Sequence, residues 1–214
     1  MAVVLTVDIV GSRRLPDRAR AQREIEEVVS RVSGEVREAV IAPISTTTGD
    51  ELQGEVVSVE AALAITLLIR LALPDDVDLR FGIGVGETVR VPSAGGDIAE
   101  GSAWWAAREA IDAVDARARR AVPSARTAIA ADPSEPASVH ELVRMAEAYL
   151  LARDEVISAM SDRSRRLTYG RCVGRTQREL AAAESITQSA VSQALAAAGA
   201  ASVVEGYRRL RAAW

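Results

Sequence analysis

The chain has 214 residues, of which 49% are hydrophobic and 3% aromatic, so it suits one large or two small domains with an aliphatic core. Its single cysteine excludes an internal disulfide and is typical of a reducing cytoplasm. No early apolar run is long enough to span a membrane and no signal peptide is recognisable, so we expect a cytoplasmic protein without a membrane partner.

Charge is distributed unevenly along the chain. Residues 1–135 carry 15 arginines and 22 acidic residues, a net charge of −7, whereas residues 136–214 carry 11 arginines and 8 acidic residues, a net charge of +3. An acidic first part and a basic second part predict two different partners.

The first part alternates between strand-like and helix-like segments. Valine-rich residues 3–10 predict a buried strand, and Asp17 is a candidate N-cap of the helix that follows. The pattern then predicts a β-hairpin over residues 43–48 and 52–58, a buried helix over 59–73 and a glycine-bearing strand over 78–91. A loop over 92–101, a helix over 102–120 and a short strand over 125–131 follow. The first six elements have the order of a ferredoxin-like antiparallel sheet with helices on one face.

A proline-containing segment, residues 131–138, predicts a linker, and the rest of the chain is helix-like. We therefore expect an α+β protein in which a ferredoxin-like domain, residues 1–132, precedes an all-helical domain, residues 138–214. The first helices of the second domain are expected over 138–160 and 161–168.

Two aspartates occupy the ends of predicted strands. Asp8 closes the first strand, and Asp50 lies at the tip of the hairpin. If these elements are neighbours in the sheet, the two carboxylates repel each other unless a cation lies between them. Oxygen ligands of this kind favour Mg²⁺, which binds one or two carboxylates together with substrate phosphates. The alternative is that both aspartates are ordinary solvated turn residues.

The turn after the first strand has the features of a phosphate-binding loop. The backbone N–H groups of Ile9, Val10, Gly11 and Ser12 lead into the first helix and are candidates to bind a phosphate.

Four segments resemble the SatD family of bacterial proteins, namely VDIVGSR, TTTGDELQG, LRFGIGVGE and DIAEGSAWWAAREAID. The same segments are similar, more remotely, to class III nucleotide cyclases. That resemblance implies a ferredoxin-like sheet of the cyclase or palm type. That resemblance implies metal binding by Asp8 and Asp50 and nucleotide contacts by Arg13 and Gly49.

The resemblance also assigns roles to the helix over 102–120. Cyclases carry an asparagine and, four residues later, an arginine that act on the transition state; here Arg108 matches the arginine, but Trp104 stands at the asparagine position. Removing one such donor typically lowers the rate about 10²–10³-fold. The resemblance therefore implies nucleotide binding with degenerate catalysis. Trp104 is a candidate to stack on a base or, alternatively, to anchor the helix in the core.

The second part contains a segment similar to helix-turn-helix regulators, over about residues 175–198. Thr176 and Glu179 match a capping box, and Thr187 is a candidate cap of the second helix. Exposed polar residues near this cap are candidates for base contacts, and upstream arginines for phosphate contacts. The predicted DNA-binding residues are Arg171, Arg175, Thr187, Gln188, Ser189, Ser192 and Gln193.

These observations favour a homodimeric, DNA-binding transcriptional regulator with a nucleotide-binding sensor domain and Mg²⁺ as its cofactor. The first alternative is an active nucleotide cyclase or other Mg²⁺-dependent phosphoryl-transfer enzyme whose helices form an interaction domain. The second is a protein in which both parts are structural and the helices bind a protein partner.

Overall fold

The computed structural model describes residues 1–12, 15–48, 51–91 and 98–214. The strands are β1 (Ala2–Ile9), β2 (Val40–Thr48), β3 (Glu51–Val56), β4 (Leu79–Gly86), β5 (Val89–Val91), β6 (Ile98–Glu100) and β7 (Thr127–Ala131). The helices are α1 (Arg18–Glu35), α2 (Val59–Ala72), α3 (Ser102–Arg120), α4 (Ala137–Ser158), α5 (Asp162–Cys172), α6 (Gln177–Ala183), α7 (Gln188–Ala197) and α8 (Ala200–Arg211).

Five strands form one sheet in the order β2-β3-β1-β4-β7. Its first four strands pair antiparallel and follow the βαββαβ order of a ferredoxin-like sandwich, so the predicted α+β fold is confirmed. The sheet as a whole is mixed and not purely antiparallel, because β7 adds to its edge parallel to β4.

The two faces of the sheet are covered by different helices, since successive side chains along a strand point to opposite faces. Leu5 and Val7 of β1 belong to the main hydrophobic core, which includes α1 and α2. Val4 instead packs with Ala103 and Ala107 of α3 on the opposite face. The even-numbered residues of β1, which include Asp8, therefore lie on the α3 face.

Two glycines of β4 allow α3 to lie directly on the sheet. A Cβ atom on Gly84 would lie 1.9 Å from the carbonyl oxygen of Ala103, and one on Gly82 would lie 2.2 Å from that of Ala107. No side chain is compatible with such distances, which explains why β4 carries glycine at these positions.

The strand predicted over residues 78–91 is interrupted. β4 ends at Gly86, and β5 pairs with β6 as a separate two-stranded ribbon that includes part of the predicted loop. The interruption arises because Glu87 is tied to the start of α3: its N–H donates to Ser102 Oγ over 3.1 Å, and its carbonyl accepts from the N–H of Ala103 over 3.1 Å.

The C-terminal helices share the core of the sheet. α4, α5 and α8 all contact α2, and Leu150, Cys172 and Tyr207 are buried in the same hydrophobic cluster as β1. Burial raises the pKa of the Cys172 thiol to about 12, so the thiol stays protonated and is not a nucleophile.

A buried cluster of charged residues, here called the junction cluster, joins α2, β7 and α4. Asp154 accepts from Arg70 over 2.7 Å and from Arg153 over 2.9 Å. Its other oxygen accepts from the backbone N–H groups of Arg126 and Thr127, both at 2.7 Å. The junction cluster therefore connects the helical part to the sheet through buried charges that share one carboxylate.

The longest helix, α4, has 22 residues. Neither α4 nor any other helix of the described residues combines the length and the apolar character needed to cross a membrane.

Candidate functional site

Acidic and basic side chains converge beside α3 at one end of the sheet. Asp8 lies near the end of β1 and Glu51 begins β3; because Val7 pairs with Leu52, both lie at the same end of adjacent strands. Arg108 reaches this region from α3.

Asp8 forms a two-pronged ion pair with Arg80, its direct cross-strand neighbour on β4. Nε of Arg80 donates to Oδ1 over 2.9 Å, and Nη2 donates to Oδ2 over 3.0 Å. The remaining nitrogen of Arg80 contacts Asp115 of α3, which also pairs with Arg119 over 2.7 Å. These four residues, Asp8, Arg80, Asp115 and Arg119, are called the site ladder below.

A second pair lies alongside the site ladder. Arg108 donates to the carboxylate of Glu51. The hydrogen bond to Glu51 raises the pKa of Arg108, and the negative charges of Asp112 and Asp8 add to the effect, whereas partial burial opposes it. Arg108 thus interacts electrostatically with the Asp8 carboxylate, and its own side chain is 52% exposed.

The turn after β1 brings further predicted phosphate ligands to the same end of the sheet. Gly11 adopts a φ of 68°, a left-handed conformation that favours glycine. The N–H of Val10 already donates to the carbonyl of Asp78 over 2.9 Å, and the side chain of Ile9 is buried in the core. Ser12 is the last described residue of this turn. The predicted ligands Arg13, Gly49 and Asp50 lie outside the described residues.

The two tryptophans of α3 have different surroundings. Trp104 is partly buried against Val4, Ala103 and Ala107, and its indole Nε1 is buried with no hydrogen-bond partner among the described residues. Trp105 is 73% exposed. The packing of Trp104 agrees with the alternative in which it anchors the helix.

The described donor set fits a Mg²⁺ ion held by few protein ligands. The Asp8 side chain is 32% exposed, and its paired oxygens each keep a further lone pair. Within the described residues, no cluster of three or more His, Cys, Asp or Glu side chains has the arrangement of a metal site. Asp8 thus suits an ion bound by one or two carboxylates and ligand phosphates, and not an all-protein cage.

Sequence reasoning missed Glu51, Arg80 and Asp115. Their signal was weak because each belongs to a different element and becomes a neighbour of Asp8 or Arg108 only in the folded sheet. Arg80 did carry one clue, since it is the only charged residue in the segment LRFGIGVG of β4. A charge in a largely buried strand requires a partner.

The predicted helix-turn-helix segment forms two capped helices. Thr176 and Glu179 make the predicted capping box, and Thr187 caps α7 by accepting from the N–H of Ala190 over 3.1 Å. Ser185 in the turn has a φ of 53°, the left-handed conformation for which glycine is commonly used there. The predicted base-contacting residues are exposed, namely Gln188, Ser189, Ser192 and Gln193.

The arginines next to this helix pair already have partners in the protein. Arg166 makes two hydrogen bonds of 2.8 Å to Glu184, and Arg165 contacts Asp75 and Asp162, each at 3.0 Å. Among the predicted phosphate ligands, Arg171 donates to the backbone carbonyl of Arg175 and Arg175 is exposed.

Comparison with known proteins identifies a family. The model of the SatD family matches residues 2–212, which includes both the sheet and the helix pair. No curated protein matches the chain.

Two solved structures of bacterial light-regulated adenylyl cyclases resemble the fold, each at 14% identity. The first has a TM-score of 0.45 and the match covers 60% of this chain and 74% of the cyclase chain. The second has a TM-score of 0.43 and the match covers 60% of this chain and 42% of the other.

The prediction of a DNA-binding transcriptional regulator is wrong. Neither the family match nor the two solved structures give any support to a DNA-binding regulator. Part of the physical reason lies in the upstream arginines, because Arg163, Arg165 and Arg166 face carboxylates of this chain and their charges are paired within the protein. Exposed polar residues on a capped helix are also typical of any solvated helix.

Proposed function

The chain is a member of the SatD family, and we propose that it binds a nucleotide or related phosphate ligand with Mg²⁺ and acts on it by phosphoryl transfer. The observation that carries this proposal is the convergence of Asp8, Glu51, Arg80 and Arg108 beside the turn that contains Gly11. Proteins that bind and transfer phosphate groups use the same components, namely carboxylates, guanidinium groups and a left-handed glycine turn.

The charge of the site explains why a cation is part of the proposal. The four carboxylates nearby outnumber the three guanidinium groups with which they pair or interact; they are Asp8, Glu51, Asp112 and Asp115. A polyphosphate would be repelled by this arrangement unless a cation reduces the negative charge. When bound, Mg²⁺ would supply that charge between Asp8 and the ligand phosphates.

Arg108 is the group of this chain that suits charge developing on the transferred phosphate. Its side chain is 52% exposed beside Glu51, and an arginine side chain keeps its positive charge at any pH near neutral. A planar guanidinium binds phosphate oxygens through two parallel hydrogen bonds.

Trp104 limits the expected rate. Its indole supplies one N–H where the related cyclases use an amide, and the ring is fixed by packing against Val4 and Ala107. We therefore expect turnover about 10²–10³-fold slower than a complete set of transition-state donors would give.

Calorimetric titration with ATP and with GTP, each with and without Mg²⁺, tests ligand binding on the full chain. We expect binding that requires Mg²⁺ and is weakened at least about 10-fold by Asp8→Asn, since the negative charge that would bind the ion is removed. Arg120→Ala removes an exposed charge at the end of α3 and is the control, with an affinity expected to match the wild type. Equal affinities in wild type and Asp8→Asn would contradict the proposed site.

Turnover is measured separately by following nucleotide and products over hours. Arg108→Ala should lower the rate by about 10²–10³-fold while changing nucleotide affinity much less, because Arg108 acts mainly on charge that develops during transfer. A rate that is unchanged in Arg108→Ala would show that this arginine is not part of the reaction.

A further inference from the structure

The strand register places a positive charge directly against the carboxylate that is expected to bind metal. Asp8 and Arg80 are cross-strand partners on β1 and β4, and both point to the α3 face. Facing residues of opposite charge on antiparallel strands stabilise one another. This pairing follows from the sheet itself and does not require a bound ligand.

Arg80 is held more firmly than a surface arginine. Its side chain is 14% exposed, its Nε and Nη2 atoms bind both oxygens of Asp8, and its Nη1 contacts Asp115. All three nitrogens of the guanidinium group are therefore used, and the planar fork is fixed between a strand and a helix.

A metal ion that approaches Asp8 is repelled by the positive charge of Arg80. Both carboxylate oxygens already accept a charge-assisted hydrogen bond, and the guanidinium lies within hydrogen-bond distance of the atoms that the ion would bind. Like charges at such a distance repel, and partial burial weakens the screening by water. Affinity for a divalent ion must consequently be lower than for the same carboxylate without Arg80.

We infer that Arg80 is the resident counter-cation of Asp8 and sets the affinity of this carboxylate for a divalent metal ion. The inference rests on the proposed function, because it concerns the same metal-binding aspartate. It makes Arg80 a positioning residue that acts through Asp8. In the absence of nucleotide the charge of Asp8 is neutralised by Arg80, and ligand phosphates are needed for the ion to bind tightly.

The test measures Mn²⁺ binding to the full chain by calorimetry, without nucleotide. Arg80→Met removes the charge and keeps an apolar stem, so we expect the Kd for Mn²⁺ to fall at least about 10-fold. Arg80→Lys keeps the charge and should bind Mn²⁺ about as weakly as the wild type. Arg120→Met removes an exposed arginine at the end of α3 and serves as the matched control.

The double variant Asp8→Asn with Arg80→Met identifies the carboxylate involved, because the gain in affinity should disappear. An unchanged or weaker Mn²⁺ affinity in Arg80→Met would overturn the inference, as would a gain that survives in the double variant. Circular dichroism establishes folding, and Arg80→Gln, which still donates to one carboxylate, replaces Arg80→Met if the latter unfolds. If neither variant folds, Arg80 serves the fold and the inference is also overturned.

The outcomes separate this inference from the proposed function. If no nucleotide binds but Arg80→Met tightens Mn²⁺ binding through Asp8, the counter-cation role stands and the proposed function fails. If nucleotide binds with Mg²⁺ but Arg80→Met leaves Mn²⁺ affinity unchanged, the proposed function stands and the role of Arg80 fails.

Discussion

The junction cluster and the site ladder use the same chemistry, arginine against aspartate, in different surroundings. In the junction cluster the side chains of Arg70, Arg153 and Asp154 are between 1% and 6% exposed. In the site ladder exposure rises outward, from 14% for Arg80 to 73% for Arg119. The first cluster is closed to solvent and stabilises the fold, whereas the second is open at one end and is able to exchange partners.

The two regions also differ in how their charges are satisfied. Arg153 donates to the carbonyl of Leu63 over 3.0 Å and to the hydroxyl groups of Thr66 and Thr127 over 3.1 Å and 2.6 Å, in addition to Asp154. The site ladder has few such neutral partners and depends on ion pairing between neighbouring elements. Burial with complete hydrogen bonding favours rigidity, and partial exposure favours binding.

Removing the central carboxylate of the junction cluster should have the largest effect on stability. Asp154→Ala leaves two buried guanidinium groups without their anion and frees two backbone N–H groups, so we expect the free energy of unfolding to fall by about 3–5 kcal/mol. Urea denaturation of the variant gives the value. Glu155→Ala, at the exposed neighbouring position, is the control, and a comparable loss there would contradict the role of the cluster.

A methyl group at Gly84 should disturb the candidate functional site more than the junction cluster. Gly84→Ala would force α3 away from β4, because the new Cβ lies 1.9 Å from a carbonyl oxygen. We expect a loss of about 1–3 kcal/mol in the free energy of unfolding, together with weaker Mg²⁺-dependent nucleotide binding, since α3 carries Asp115 and Arg108. Denaturation and calorimetry measure the two effects. A variant that is destabilised but binds nucleotide normally would show that the position of α3 does not matter to the site.

The change in the free energy of unfolding with pH should depend on the junction cluster. Burial alone would raise the pKa of Asp154, but the charges of Arg153 and Arg70 outweigh burial and hold it below its ordinary value. Because the unfolded pKa is about 3.9, the paired carboxylate contributes stability above that pH, and the contribution is lost as the pH falls through the lower folded pKa. Asp154→Asn should therefore show a shallower loss of stability than the wild type in acid. Denaturation at a series of pH values checks this, and parallel curves would contradict it.

The sequence predicts the elements that depend on local pattern and misses contacts between distant elements. The valine-rich β1 and the capped α6 and α7 follow from nearby residues and were predicted. The end of β4 at Gly86 was not, because it depends on Glu87 binding the start of α3. The junction cluster was also missed, although Arg70 within the apolar segment LAITLLIRLA signals a buried charge that needs a partner.

The same distinction applies to the candidate site. Asp8 could be proposed from its place at the end of a strand and Arg108 from the resemblance, whereas Arg80 lies 72 residues from Asp8 along the chain. Only the register of β1 against β4 brings these two residues together. The turn of the predicted hairpin, which contains Gly49 and Asp50, lies outside the described residues, so its metal-binding role stays a prediction.

The outermost residue of the site ladder should contribute least to stability. Arg119 pairs with Asp115 across one helical turn and is 73% exposed, so water and salt screen the attraction between them. Arg119→Ala should lower the free energy of unfolding by less than about 0.5 kcal/mol, and in about 1 M salt, where the screening length is near 3 Å, the difference should disappear. Urea denaturation of wild type, Arg119→Ala and Asp154→Ala at low and high salt makes the comparison directly. The Asp154→Ala loss should persist in salt because its partners are buried. If salt abolished that loss as well, or left the Arg119→Ala difference unchanged, the contrast between a closed structural cluster and an open, exchangeable one would be wrong.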